Sequence, residues 1–109
     1  MRKLSLSLAD LQVSNNGFGV EYRTPSNIEA QGFELTVVTH GRRMDYIAMR
    51  TPHFKLRHVG AIKPSVVLTA VISHKKLDAS HPVVAAIAAK WGQMTPTEFV
   101  TALLTLACL

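Results

Sequence analysis

Cationic, aromatic and hydroxyl side chains recur along residues 33–52, FELTVVTHGRRMDYIAMRTP. The spacing predicts two β-strands joined by a three-residue loop containing Gly41, because successive strand side chains point to opposite faces. One face would be apolar and packed, and the other would be mixed and open. The packed face would carry Phe33, Leu35, Val37, Ile47 and Met49. The open face would carry Glu34, Thr36, Val38, His40, Tyr46, Ala48 and Arg50, beside a basic tip of Arg42 and Arg43.

The open face has the chemistry of a nucleic-acid interface. Arginine can contact phosphates, and Tyr46 with the threonine hydroxyls can stack on and hydrogen-bond to unpaired bases. The formal charge of +5 and a pI near 9.8 favour an anionic partner. The ordinary alternative is a solvated basic rim, with Tyr46 filling space between strands.

Enzyme motifs are absent from the sequence, which has no phosphate-binding glycine loop, nucleophile elbow or zinc-binding helix motif. Its five histidines show no metal-ligand spacing. Cys108 is the only cysteine and lies in an apolar segment, so we expect no disulfide within the chain. We therefore expect no enzyme activity, no metal and no cofactor. The remaining catalytic alternative is a nuclease that uses His40 or His58 as acid–base.

Length and composition predict one folded domain over residues 1–109, since 48% of the residues are hydrophobic. No run reaches the roughly 20 apolar residues of a membrane span, so a membrane partner is not expected.

The order of elements predicts an α+β fold with an antiparallel β-meander. Residues 3–23 predict an N-terminal hairpin, from the alternation of Leu4, Leu6 and Leu8 and a turn at residues 15–17. The sequence pattern predicts that residues 28–76 form the sheet. We expect a short strand at 28–31, then the central pair, then a strand followed by a turn at Gly60, and finally a long strand at 64–76. On this last strand, Ser65, Val67 and Thr69 would share the mixed face.

Residues 80–109 predict two C-terminal α-helices. Ser80 would cap the first helix, and Gly92 would end it. Thr95 and Glu98 have the spacing of a capping box at the start of the second. This second helix is apolar on nearly every side, which leaves two interpretations. The helices either cover the chain's own sheet or pack across a two-fold axis onto a second copy.

Three segments resemble the coat proteins of single-stranded RNA bacteriophages, the leviviruses. GVEYRTPSN, residues 19–27, is similar to their second-strand segment, and residues 33–52 are similar to their central strand pair. PSVVLTAVISHKKL followed by VVAAIAAKW is similar to their last strand and first helix. The order of hairpin, meander and two C-terminal helices is also similar.

The resemblance implies a structural coat protein that forms a homodimer, assembles into an icosahedral capsid and binds a stem-loop of single-stranded genomic RNA. Such a protein would be found in the virion, and in the host cytoplasm during assembly. Matching strand positions imply an inward RNA-binding face of Thr36, Val38, His40, Arg42, Arg43, Tyr46, Arg50, Ser65, Val67 and Thr69. The alternative is a small dimeric nucleic-acid-binding or host-directed regulatory protein.

Overall fold

The computed structural model describes residues 5–15, 17 and 19–109, which form two compact units. Ala9–Ile62 is the sheet unit, and Lys63–Leu109 together with residues 5–8 is the helical unit. The expected α+β class and antiparallel sheet are both confirmed.

The sheet unit is a five-stranded meander in which each strand pairs with its neighbours along the chain. The strands are β1 (Gln12–Asn15), β2 (Val20–Arg23), β3 (Glu34–His40), β4 (Arg43–Arg50) and β5 (Lys55–Ile62). A 3₁₀ turn, Leu8–Asp10, precedes β1, and the short helix α1 (Ser26–Glu29) connects β2 to β3. The order places β1 and β5 at the two edges of the sheet.

Strands β3 and β4 confirm the predicted central hairpin and its division into two faces. Leu35, Val37 and Ile47 are completely buried, and Phe33 and Met49 are nearly so. The side chains predicted for the open face all keep some exposure: Glu34, Thr36, Val38, His40, Tyr46, Ala48 and Arg50. The alternation of residue types therefore gives the correct face for each of these positions.

A β-bulge at Asp45 was not predicted. Val38 pairs with Tyr46, but Thr39 pairs with Met44, so Asp45 is an extra residue in β4. An extra residue shifts the alternation by one position. Met44 consequently lies on the packed face, only 3% exposed, although it is two residues from Tyr46.

Two details of the loops also differ from the prediction. His40 pairs with Arg43, so the central loop has two residues, Gly41 and Arg42, instead of three. Gly41 has a φ of +61°, in the first loop position where such hairpins use glycine. Gly60 does not end its strand but lies inside β5, where its φ of +97° accommodates the irregular pairing opposite Asp45.

The N-terminal part of the prediction is correct only for β1 and β2. Residues 5–7 form no strand, and Leu8–Asp10 is a 3₁₀ turn, so the predicted strand from Leu4 is wrong where it can be assessed. Residues 1–4, 16 and 18 lie outside the described residues. The predicted strand at 28–31 is also wrong, because an extended Pro25 starts α1 and Ile28 is the buried residue of that helix.

The helical unit contains α2 (Pro64–His74), α3 (Pro82–Lys90) and α4 (Pro96–Ala107), with a 3₁₀ turn, Trp91–Gln93, after α3. Helix α2 contradicts the predicted long strand at 64–76. Pro64 is the first helical residue, a position that suits its fixed φ. Val67, Leu68 and Val71 are completely buried at helical spacing, whereas Val66 is 50% exposed.

The starts of α3 and α4 depend on side-chain caps. His81, and not the predicted Ser80, caps α3, because its Nδ1 accepts a hydrogen bond from the Val83 N–H at 3.1 Å. The predicted capping box of α4 is confirmed. Thr95 Oγ1 accepts from the Glu98 N–H at 3.2 Å, and Glu98 Oε1 accepts from the Thr95 N–H at 3.1 Å.

Helix α4 buries its apolar side chains within a single chain. Helices α2 and α4 pack together, and Lys75 Nζ donates to the Ala107 and Leu109 carbonyls at 2.6 and 3.0 Å. The buried residues of α4 are Phe99, Val100, Ala102, Leu103, Leu104 and Leu106. Helix α3 differs, since Val84 is its only buried residue. Helix α3 therefore leaves more of its apolar side chains partly or fully exposed than α4 does.

We expect Gly19→Ala to destabilise the sheet by about 1–3 kcal/mol, the usual cost of overpacking. A Cβ at Gly19 would overlap the backbone carbonyl of Thr39, and backbone cannot move aside cheaply. Urea unfolding would measure the loss. Gly92→Ala is the matched control, because a Cβ there meets open space. Equal stability of the two variants would contradict the close approach.

We expect Glu98→Gln to flatten the acid side of the stability profile. The backbone N–H of Thr95, followed by its hydroxyl, holds the pKa of Glu98 below its ordinary value of 4.5. A carboxyl group whose pKa is lower in the folded state contributes stability that is fully present above pH 4.5. This stability is lost as the pH falls through the folded-state pKa. Glutamine keeps the capping oxygen without titrating. Unfolding at several pH values between neutral and acid should show the wild type losing more stability, and parallel profiles would contradict this.

Candidate nucleic-acid interface

The strand register arranges the open face of the sheet into rows of neighbouring side chains. Cross-strand partners share a face, with Cβ atoms about 4.5–5.5 Å apart. The first row is Glu21, Val38, Tyr46 and Val59. The second row is Arg23, Thr36, Ala48 and Arg57, and a third, shorter row is Glu34, Arg50 and Lys55.

Tyr46 provides an aromatic surface near the middle of the first row. Its cross-strand partners are Val38 and Val59, and Val59 is 72% exposed. The guanidinium carbon of Arg57 lies 5.7 Å from the centre of the tyrosine ring, which is a cation–π distance. A flat aromatic ring and a flat guanidinium beside apolar side chains form a surface on which bases can stack.

Charge is unevenly distributed along the strand order. Residues 42–57 contain five cationic side chains and one carboxylate, Asp45. Residues 10–29, which include β1 and β2, contain three carboxylates and one cationic side chain, Arg23. Because β1 and β5 are opposite edges, the β4–β5 half of the sheet is basic and the β1–β2 half is more acidic. A phosphate chain would be attracted to the β4–β5 half.

Two of the arginines predicted to bind phosphate already have carboxylate partners. Arg43 Nε lies 2.6 Å from Asp45 Oδ1, and Arg50 pairs with Glu34 across the strands. The arginine side chains are 61% and 52% exposed. Exposed ion pairs contribute little free energy, so a phosphate can compete with these carboxylates.

A depression of about 340 Å³ lies on the open face of the basic half. Thr36, Ala48, Arg50, Lys55 and Arg57 contribute to its lining, together with Glu34. Ala48 has a small side chain between its larger neighbours Thr36 and Arg57, which leaves space above the strand.

The structure brings together most of the residues predicted for the interface. Thr36, Val38, His40, Arg43, Tyr46 and Arg50 lie on the open face of β3 and β4, and Arg42 is exposed in the loop between them. The prediction is wrong for Ser65, Val67 and Thr69, because these residues belong to α2 and not to a strand of this sheet. Val67 is also completely buried, so it is not available to a ligand.

The RNA-binding face that the resemblance implies did not include Lys55 and Arg57. Both are exposed on β5 and share the open face with Arg50 and Ala48. Their alternation with Leu56 was the signal that could have placed them there.

The two histidines named for the catalytic alternative lie on opposite faces of the sheet. His40 is exposed on the open face, whereas His58 pairs with Ile47 and therefore lies on the packed face. Within the described part of the chain, no three His, Cys, Asp or Glu side chains are grouped so that they could hold a metal ion. Nor does any helix described there have the length and apolar character needed to cross a membrane.

Comparison of this chain with protein-family models, curated proteins and solved structures finds no match. The resemblance to levivirus coat proteins consequently stays a prediction from the sequence.

Proposed function

We propose that the protein binds unpaired RNA bases on the open face of its sheet. The observation that carries this proposal is the Tyr46–Arg57 pair, which lies in the basic half among side chains that can contact phosphates. Tyr46 would stack on a base, and Arg57 would extend that platform and attract the adjacent backbone. Hydrogen-bonding groups of Thr36 and His40 on the same face would contact the edges of bases.

The proposed ligand is single-stranded RNA, or the loop of a stem-loop, because an open sheet presents its side chains to unstacked bases. Bases within a duplex are stacked on each other and cannot lie on Tyr46. The β1–β2 half carries fewer cations than the β4–β5 half, so we place the strand over β3, β4 and β5 only.

The coat-protein role is proposed as the setting of this RNA binding. Support comes from the central hairpin, whose mixed and basic face has the character that the resemblance implies. The first part of the third similar segment no longer contributes, because its supposed last strand is α2, whereas its second part is the helix α3. Dimerisation and shell assembly are therefore proposed from the remaining segments and from the surface of α3.

We propose that the dimer forms through the groove between α3 and α4. The groove measures about 510 Å³ and has a mainly apolar lining that includes Val83, Ala86, Ile87 and Met94. Lys90 and Glu98 lie at the same groove, where they can pair with opposite charges of a second copy. A two-fold contact repeats both charges, so each Lys90 can meet a partner's carboxylate.

RNA binding should depend on the aromatic ring at position 46. We expect Tyr46→Leu to weaken binding of a labelled oligouridine by about 1–3 kcal/mol, the usual contribution of base stacking. Tyr46→Phe is the matched control, since it keeps the ring and removes only the hydroxyl. Fluorescence anisotropy would measure both affinities. Wild-type affinity in Tyr46→Leu would argue that the ring is only a filler between strands.

Assembly should depend on the groove of the helical unit. We expect Ala86→Glu to break the dimer, because it places a charge in the apolar groove. Ala85→Glu is the control, since Ala85 is exposed on the same helix but does not line the groove. Sedimentation velocity would measure the dimer, and electron microscopy with RNA would show any shells. A monomeric wild type would overturn both dimerisation and the coat role.

The second candidate is a dimeric RNA-binding regulatory protein that forms no shell. The observation that favours it is α2, which replaces the last strand implied by the coat resemblance. Wild-type protein that remains dimeric with RNA present would support this candidate over the coat role.

A further inference from the structure

We infer that the depression of the basic half is a subsite for a phosphate group, and that Glu34 competes with this phosphate for Arg50. The inference rests on the proposed RNA binding and specifies where one phosphate of the bound strand lies. It also identifies Glu34 as a carboxylate that lowers the affinity of the protein for RNA.

Three cationic side chains of the described part of the chain border the depression. Arg50 and Lys55 are cross-strand partners, and Arg57 follows Lys55 by two residues on the same face. Residues two apart along a strand are about 6.6–6.8 Å apart, so all three cations can approach one anion. Arginine offers a planar set of donors that matches phosphate oxygens, and lysine offers a compact charge.

The floor of the depression is suited to a small anion. Ala48 lies between Thr36 and Arg57, and its methyl group leaves room for a phosphate to approach the sheet. Thr36 lies on the other side of Ala48 from Arg57, and its hydroxyl can donate a hydrogen bond to a phosphate oxygen. A larger side chain at position 48 would fill this space without changing any charge.

Among the residues that the structure describes, Glu34 is the one carboxylate in the lining. It pairs with Arg50 across the strands, and the Glu34 and Arg50 side chains are 39% and 52% exposed. A phosphate that enters the depression must displace this carboxylate or share the guanidinium with it. Because an exposed ion pair is weak, a phosphate can displace Glu34 from Arg50. The free energy of breaking this ion pair reduces the binding free energy of the phosphate that enters the depression.

The first experiment measures the affinity for a fluorescently labelled decauridine by anisotropy. Glu34→Gln should tighten binding about two- to fivefold, the range that exposed ion pairs span. Glu29→Gln is the matched control, because Glu29 is exposed on α1 outside the depression and its replacement changes the net charge equally. We expect the control to tighten binding less than twofold.

The second experiment titrates inorganic phosphate against chloride at constant ionic strength and follows backbone amide resonances by NMR. Phosphate should shift the amides of Ala48, Arg50, Lys55 and Arg57. Ala48→Leu and, independently, the exposed change Lys55→Gln should reduce these shifts at least severalfold. Ala61→Leu is the control for added bulk, since Ala61 lies on β5 outside the depression.

The outcomes separate the subsite from the proposed function. Equal tightening by the Glu34 and Glu29 variants, or phosphate shifts that are absent or spread over the protein, would overturn the subsite and leave RNA binding standing. Localised phosphate shifts without any decauridine binding would keep the subsite, as a site for free phosphate monoesters, and overturn RNA binding. Selective tightening together with localised shifts would support both.

Discussion

The register of β3 against β4 is the constraint on which the rest of the sheet unit depends. Leu35 opposes Met49 and Val37 opposes Ile47, and this pairing buries all four side chains. A slip by one residue would move this apolar set to the other face, so burial fixes the register strongly. The same register places Thr36 beside Ala48 and Val38 beside Tyr46. The chemistry of the open face is thus determined by what the opposite face must bury.

The bulge at Asp45 limits how far this alternation extends. It returns Met44 to the packed face and keeps Arg43 opposite His40 at the loop. Beyond the bulge, the basic tip and the rows of the open face remain on one side of the sheet. Asp45 also holds Arg43 in an ion pair, as Glu34 holds Arg50. Carboxylates therefore pair two of the arginines of the proposed interface, whereas Arg57 lies against the Tyr46 ring.

The sequence was most informative where its alternation had one explanation. The central hairpin alternates over two long strands with a glycine loop between them, and both faces were predicted correctly. Residues 64–74 fit two periods, since Val66, Leu68 and Ala70 alternate like a strand while Val67, Leu68 and Val71 have helical spacing. β-branched residues favoured the strand, but Pro64 at a helix start and burial of the helical set decided for the helix. Because this segment is a helix, Ser65, Val67 and Thr69 do not belong to the interface for which they were predicted.

Other features of the open face could not be predicted from the order of residue types, because they depend on contacts between strands. The bulge depends on pairing with both neighbouring strands, and the ion pair of Arg50 joins residues 16 positions apart. The contact of Arg57 with Tyr46 likewise required the register of β5. These are non-local consequences of the packed face, and they determine which cations remain available to a ligand.

The central claim is that RNA lies on the open face of β3, β4 and β5. Ultraviolet cross-linking of bound oligouridine, followed by tryptic digestion and mass spectrometry, tests it most directly. The account predicts that the principal cross-link falls in the peptide of residues 44–50, which contains Tyr46. Cross-links confined to the helices after residue 63, with none in that peptide, would contradict it.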